Sequence, residues 1–230
     1  MTPDFRDVKK TFYLANETIR FGLSDVKQIG ASAVEKMASN ILETEQEIDK
    51  KCSEWNWCDY LIFFSKKVSS TVNKALISSG ALDYLKISRN KMLYEIDLWN
   101  KLTAKEMDWI KGIESSDTLF EKKKTWDSLC DALKACQPVK KMGGGCSTSK
   151  RSDIVADLIK MTQNPPHTLS DSPAWISWAE EKFLGAAISC SKVDGCSDSV
   201  KSNTTCKEFV DGKNGFMVLA VEINRAKQIT

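Results

Sequence analysis

The chain has 230 residues, 42% of them apolar and 28% charged, with a formal net charge of +2. These values lie near soluble averages and exclude a disordered tail, a fibre and a strongly polybasic tail binder. No stretch approaches the ~18 consecutive apolar residues of a membrane helix, and Met1-Thr2-Pro3-Asp4 opens without an apolar signal core, so a cytoplasmic protein without a membrane partner is expected.

Residues 11–21 are rich in β-branched and aromatic side chains on either side of Ala15-Asn16-Glu17, and predict a short β-hairpin. Val34, Met37, Ala38, Ile41, Leu42 and Ile48 recur at three- and four-residue steps, the apolar face of a helix. Residues 56–66 are densely apolar and predict a buried helix. Residues 72–79 predict another, stopped by Gly80. Leu93, Ile96, Trp99 and Leu102 mark the next face, and Thr103 with Glu106 fits a capping box that restarts a helix as far as Lys111.

Leu119, Trp126, Leu129, Cys130 and Leu133 suggest a further amphipathic helix. Pro138 and Gly143-Gly144-Gly145 make residues 137–150 read as a linker. Ile154, Val155, Leu158, Ile159 and Met161 predict a short helix ending before Asn164-Pro165-Pro166. Ser172-Pro173 then starts a helix with Trp175, Trp178, Ala179 and Phe183 on its apolar face and Gly185 as its stop. Residues 206–210 and 216–223 flank Asp211-Gly212-Lys213-Asn214-Gly215 and read as a hairpin.

The single histidine, His167, argues against serine–histidine and multi-histidine metal chemistry. Reduced thiols are the default for the eight cysteines. Cys130, Cys136 and Cys146 share the spacing of Cys190, Cys196 and Cys206, five and then nine residues between. Zinc sites use tighter spacings, so no metal site is assigned. The seven tryptophans fall mostly on apolar helical faces, and core packing accounts for them better than base stacking. Lys122-Lys123-Lys124 and Lys140-Lys141 read as solvated charge.

The informative stretch is residues 21–34. It places a short helix, a tight turn centred on Gly30, and a second helix from Ser32. Such a turn presents backbone N–H groups at a helix N-terminus, a cradle for phosphate. A side chain at Gly30 would block close approach of the phosphate. Ser32 can cap the helix or bond the phosphate, and Lys27 and Lys36 add charge. The bland reading is an ordinary helical hairpin with Gly30 as its turn residue.

Several segments resemble, in chain order, the helix-hairpin-helix region of the alpha subunits of bacterial replicative DNA polymerase III. They are Thr2-Pro3-Asp4, Ile19-Arg20-Phe21-Gly22-Leu23 with Val26-Lys27 and Ile29-Gly30, then Val72-Asn73-Lys74 with Leu76-Ile77 and Gly80-Ala81-Leu82-Asp83, and finally Trp178-Ala179-Glu180-Glu181-Lys182-Phe183-Leu184-Gly185. Arg89 stands where the family tends to place an arginine. Ser189-Cys190-Ser191-Lys192 departs from the family's ending, and residues 112–172 match weakly. Residues 216–230 resemble only the first strand of the oligonucleotide-binding fold that follows in the family.

The resemblance implies a C-terminal piece of a split or truncated polymerase. It would carry no catalytic residue, metal ligand or cofactor of its own. Mg2+ would sit on another chain that bears the catalytic palm. The implied partners are double-stranded DNA and that palm-bearing part. The expected fold is mainly α, a tandem helix-hairpin-helix module with a short N-terminal β-hairpin and a small C-terminal β element. Its expected parts are a lead-in strand (1–15), the DNA-binding module (16–111), a variable helical linker (112–172), and a helix with a partial oligonucleotide-binding-fold hairpin (173–230).

The expected DNA contacts are Lys27, Gln28, Ile29, Gly30, Ala31, Ser32 and Lys36 at the first hairpin. At a glycine-free second hairpin near residues 68–73 they are Lys66, Lys67, Ser70, Thr71, Asn73 and Lys74, with Arg89 beyond. Two rivals stand beside sequence-independent duplex binding. One is a docking module of the polymerase whose hairpins no longer touch DNA. The other is a metal-stabilised protein built on the cysteine triplets.

Overall fold

The computed structural model describes residues 1–15, 17–111, 126–136, 149–191 and 194. A two-stranded antiparallel ribbon comes first. In it β1 (Tyr13–Ala15) pairs with β2 (Thr18–Arg20), Leu14 opposite Ile19. A 3-10 turn (Leu23–Asp25) leads to α1 (Ala31–Ile48). Next, α2 (Trp57–Asp59) runs on through a π-helical turn (Tyr60–Phe64) and a 3-10 turn (Ser65–Lys67). Then come α3 (Ser70–Ser78), a 3-10 turn (Asp83–Leu85), α4 (Arg89–Trp99), α5 (Ala104–Lys111), α6 (Leu129–Ala135), α7 (Ser149–Gln163) and α8 (Pro173–Leu184).

The fold is mainly helical with a short N-terminal β-hairpin, as the sequence predicts. The helix α7 begins inside the expected linker, at Ser149. The β element expected at 206–223 lies outside the described residues, as do Leu119, the lysine runs, Cys146, Cys196 and Cys206.

Side-chain oxygens start most of these helices by accepting first-turn amides that have no partner inside the helix. Ser69 accepts from Val72 N–H at 3.2 Å, Ser128 from Asp131 at 3.2 Å and Ser172 from Trp175 at 3.2 Å. Thr103 and Glu106 form the expected box, at 2.8 and 3.3 Å. Gly80 follows the end of α3 with φ +83°, and a side chain there would run into the Arg89 guanidinium and the Asp83 carboxylate. Only glycine suits both the left-handed backbone and the close approach.

The core is continuous from Phe5 to Leu184 and includes Trp126, Leu129, Leu133, Val155 and Leu158. Phe5 lies in its aromatic centre, 5.3 Å from Tyr60 and 5.0 Å from Phe64 between ring centroids. Trp55, Trp57, Trp99 and Trp126 are buried. Four positions assigned to apolar faces depart from that reading: Leu42, Ile154, Met161 and Trp178 are exposed. A helix buries only the middle of its stripe when one neighbour covers it, and these residues flank that middle. No described helix is long and apolar enough to cross a membrane.

Candidate nucleic-acid interface

The first turn is built by its buried residues. Leu23, Val26 and Ile29 enter the core and pull the chain into a tight corner. Lys27 N–H donates to the Phe183 carbonyl at 2.8 Å, which ties the corner to the end of α8. Ile29 N–H donates to the Val26 carbonyl at 3.0 Å. Ile29 therefore contributes packing and offers no free amide, contrary to its expected role as a contact. The left-handed residue of the turn is Gln28 (φ +76°), not Gly30.

Gly30 is the N-cap of α1, with φ −82° and ψ 162°, a backbone that any residue adopts. A Cβ added there would meet nothing within 4 Å. The fold thus does not require glycine at this position. Its effect is to leave the helix start without a capping side chain. Ser32, expected as a possible cap, lies inside α1. The amides of Gly30, Ala31 and Ser32 have no acceptor among the described residues. The residues themselves are exposed, as are Lys27, Gln28 and Lys36. Partial positive charge at a helix N-terminus and open N–H groups together favour an anion.

The expected second contact region is arranged differently. Ser70 and Thr71 are exposed at the start of α3, but the Ser69 hydroxyl already caps that helix. Its lysines face partners within the chain. Lys66 donates to the Asn100 side-chain oxygen. Lys67 lies 3.1 Å from Glu47, and Lys74 lies 3.5 Å from Asp97. Asn73 is buried, accepting from the Tyr60 hydroxyl at 2.7 Å and donating to the Ser65 carbonyl at 2.7 Å. It is a strut of the π-helical segment, and its place in the interior removes it from the expected contacts.

Arg89 is a third correction, after Ile29 and Asn73. Its side chain is 3% exposed. It donates to both Asp83 oxygens at 2.9 and 2.6 Å, to the Ser78 carbonyl at 3.1 Å and to Glu180 at 2.8 Å. Burial lowers the Arg89 pKa, but the Asp83 and Glu180 carboxylates outweigh it and raise it. Burial likewise raises Glu180. The bonds it accepts from Ser189, Arg89 and Ile188 outweigh this and hold it below the ordinary glutamate value. A cation so enclosed joins α4 to α8 and is not offered to a ligand.

Among the described residues, no three potential ligands stand together as a metal site. Cys52 and Cys58 are buried, and burial pushes both thiols up to about 12. Sequence reasoning missed the turn at Lys86, Ile87 and Ser88 before α4. Lys86 is left-handed (φ +56°) and Ser88 is the N-cap, with φ −58° and ψ 139°. The only signal was a polar–Ile–small triplet that matches Gln28-Ile29-Gly30.

A family model described as a helix-hairpin-helix motif matches residues 1–92. That span takes in the ribbon, the Gln28-Ile29-Gly30 turn and the Lys86-Ile87-Ser88 turn. The first part of the chain therefore carries a helix-hairpin-helix module, a motif consistent with nucleic-acid binding. No curated protein matches the chain.

Proposed function

We propose that the chain binds duplex DNA through its phosphates, without reading sequence, by the open N-terminus of α1. The observation that carries this reading is the glycine N-cap of α1. It leaves the amides of the exposed residues 30–32 without an acceptor among the described residues, within a segment matched by the helix-hairpin-helix model. Lys27 and Lys36 add attraction from either side. Ser70 and Thr71 at the start of α3 are secondary contacts at most, because their flanking lysines are paired. Phosphate contacts position a protein and carry no base information. On the resemblance stated above, the wider role is that of a downstream part of a replicative polymerase in the cytoplasm. The catalytic palm and its Mg2+ would belong to another chain, and this chain would hold no cofactor.

The test is fluorescence anisotropy with labelled duplexes of unrelated sequence over a salt series, for wild type and Gly30→Asp. The backbone at Gly30 accepts a side chain without strain, and aspartate is a good N-cap. The variant should therefore fold. Its carboxylate occupies the amides and repels phosphate, so binding should fall by at least ~10-fold, about the worth of one charge-assisted hydrogen bond. Folded wild type that fails to bind at low salt refutes the reading. A docking role would then lead, on the exposed apolar ribbon of Phe12, Leu14 and Ile19.

A further inference from the structure

The segment between α7 and α8 lies over the start of α4. Lys86 (left-handed), Ile87 and Ser88 (φ −58°, ψ 139°) deliver α4 as Gln28, Ile29 and Gly30 (φ −82°, ψ 162°) deliver α1. Ile29 is buried, and Ile87 packs against the same core. The two helix starts then differ. At α1 the first amides are open. At α4 the Asp171 carboxylate accepts from Arg89 N–H at 2.7 Å and from Asn90 N–H at 2.9 Å, one oxygen each.

Further bonds seat the same segment. Ser88 Oγ donates to the Leu169 carbonyl, and Asn90 Nδ2 donates to the Ser170 carbonyl at 3.3 Å. Just before the segment, the Tyr94 hydroxyl holds the last turn of α7 by donating to the Met161 carbonyl at 3.1 Å, and the segment's His167 ring meets Tyr94 edge-on at 5.6 Å. Pro165 and Pro166 keep α7 from continuing and set the segment on its path across α4.

We propose that residues 169–171 are an intramolecular plug. The Asp171 carboxylate takes the anion position at the N-terminus of α4, and the second turn is closed to DNA phosphate while the first stays open. Two anionic oxygens on two successive amides is how a phosphate is held at a helix start. The tethered carboxylate has a high effective concentration, so a passing phosphate does not displace it. The inference rests on reading the N-terminus of α1 as a phosphate site. It adds that the pair of turns works with one contact where its geometry provides for two.

The experiment maps backbone amide shifts of the full chain on adding duplex DNA, together with the salt dependence of binding. In wild type, shifts are expected at residues 30–32 and not at Arg89 or Asn90. Asp171→Asn removes the charge but keeps one acceptor, and Ser88 still caps α4. Asp171→Ala removes both acceptors. In either variant Arg89 and Asn90 should become DNA-responsive, and the slope of log K against log salt should steepen by ~0.9 for each phosphate gained. DNA-dependent shifts at Arg89 and Asn90 in wild type overturn the plug. So does an unchanged slope in both folded variants. Silence at residues 30–32 in wild type defeats the phosphate reading of α1 instead, and the variants still decide the plug.

Discussion

Arg89 shows how far a side chain's role departs from its surface reputation. Its guanidinium lies between Asp83, which is partly exposed, and Glu180, which is fully buried. Replacing it by alanine leaves Glu180 in the interior without its cation. Removing one partner of a buried pair costs about 3–5 kcal/mol. Arg89→Ala should therefore lower the unfolding free energy by that amount, read as a lower urea midpoint with an unchanged m-value. Adding Glu180→Gln should recover part of the loss, because a buried amide replaces an uncompensated charge. In conditions where Arg89→Ala stays folded, its DNA salt slope should equal that of wild type. A cost below ~1 kcal/mol would place the guanidinium in solvent, since exposed pairs are worth no more.

Helix starts divide this protein into stabilised and available ends. Serine, threonine or asparagine caps α2, α3, α4, α5, α6 and α8, while α1 begins on Gly30 with no side-chain cap. The uncapped end forgoes a little stability and keeps amides open for a ligand. Gly30→Ser should reverse that balance. Serine exceeds glycine as an N-cap by only ~0.3 kcal/mol, which corresponds to a rise in Tm of ~1 °C for a chain of this size. Its hydroxyl takes one of the amides, so DNA affinity should fall by ~10-fold. Calorimetry and anisotropy on the same preparation check both signs, and tighter binding by the serine variant would contradict the open-amide account.

Local chemistry made these ends legible in the sequence. Ser172-Pro173, Thr103 with Glu106, and Gly80 are short-range signals, and each stands where the sequence placed it. Long-range partners were not legible. Arg89 finds its second carboxylate 91 residues away, and Asp171 reaches α4 across 82. Helical periodicity marked Leu42 and Trp178 as core, but only packing decides which part of a stripe is covered. The turn before α4 is less legible in the sequence because serine, not glycine, ends it.

At the scale of the whole molecule, buried carboxylates join segments that are distant in sequence. Asp4, which also pairs with its near neighbour Arg6 at 2.7 Å, ties the N-terminus to Arg20 at 3.4 Å. Glu106 joins α5 to Arg151 of α7 at 2.8 Å, and Glu180 joins α8 to α4. Burial raises all three pKa values. Their hydrogen bonds and neighbouring cations outweigh it, and each lies below its ordinary value.

A depressed folded pKa means that the unfolded chain binds the proton more readily. The stabilisation is therefore complete above the ordinary values of 3.8 for Asp4 and 4.5 for the glutamates, and is lost as pH falls through the lower folded values. Glu95 has the opposite sign. Burial outweighs Lys91 and the Trp57 N–H bond and raises its pKa, so its contribution is lost as pH rises from 4.5 through the folded value. Among the buried carboxylates, three of one sign against one of the other give a net loss on acidification. Unfolding free energies from urea titrations taken from pH 5 down to pH 3 should fall, at ~1.4 kcal/mol per pH unit for each extra proton bound by the unfolded chain. Glu180→Gln should make that fall shallower, and Glu95→Gln should flatten the loss that begins as pH rises above 4.5. An acid limb as steep in Glu180→Gln as in wild type would mean that Glu180 does not carry the coupling between α8 and α4. Because that limb lies well below pH 7, DNA-binding differences measured at pH 7 report the helix starts and not unfolding.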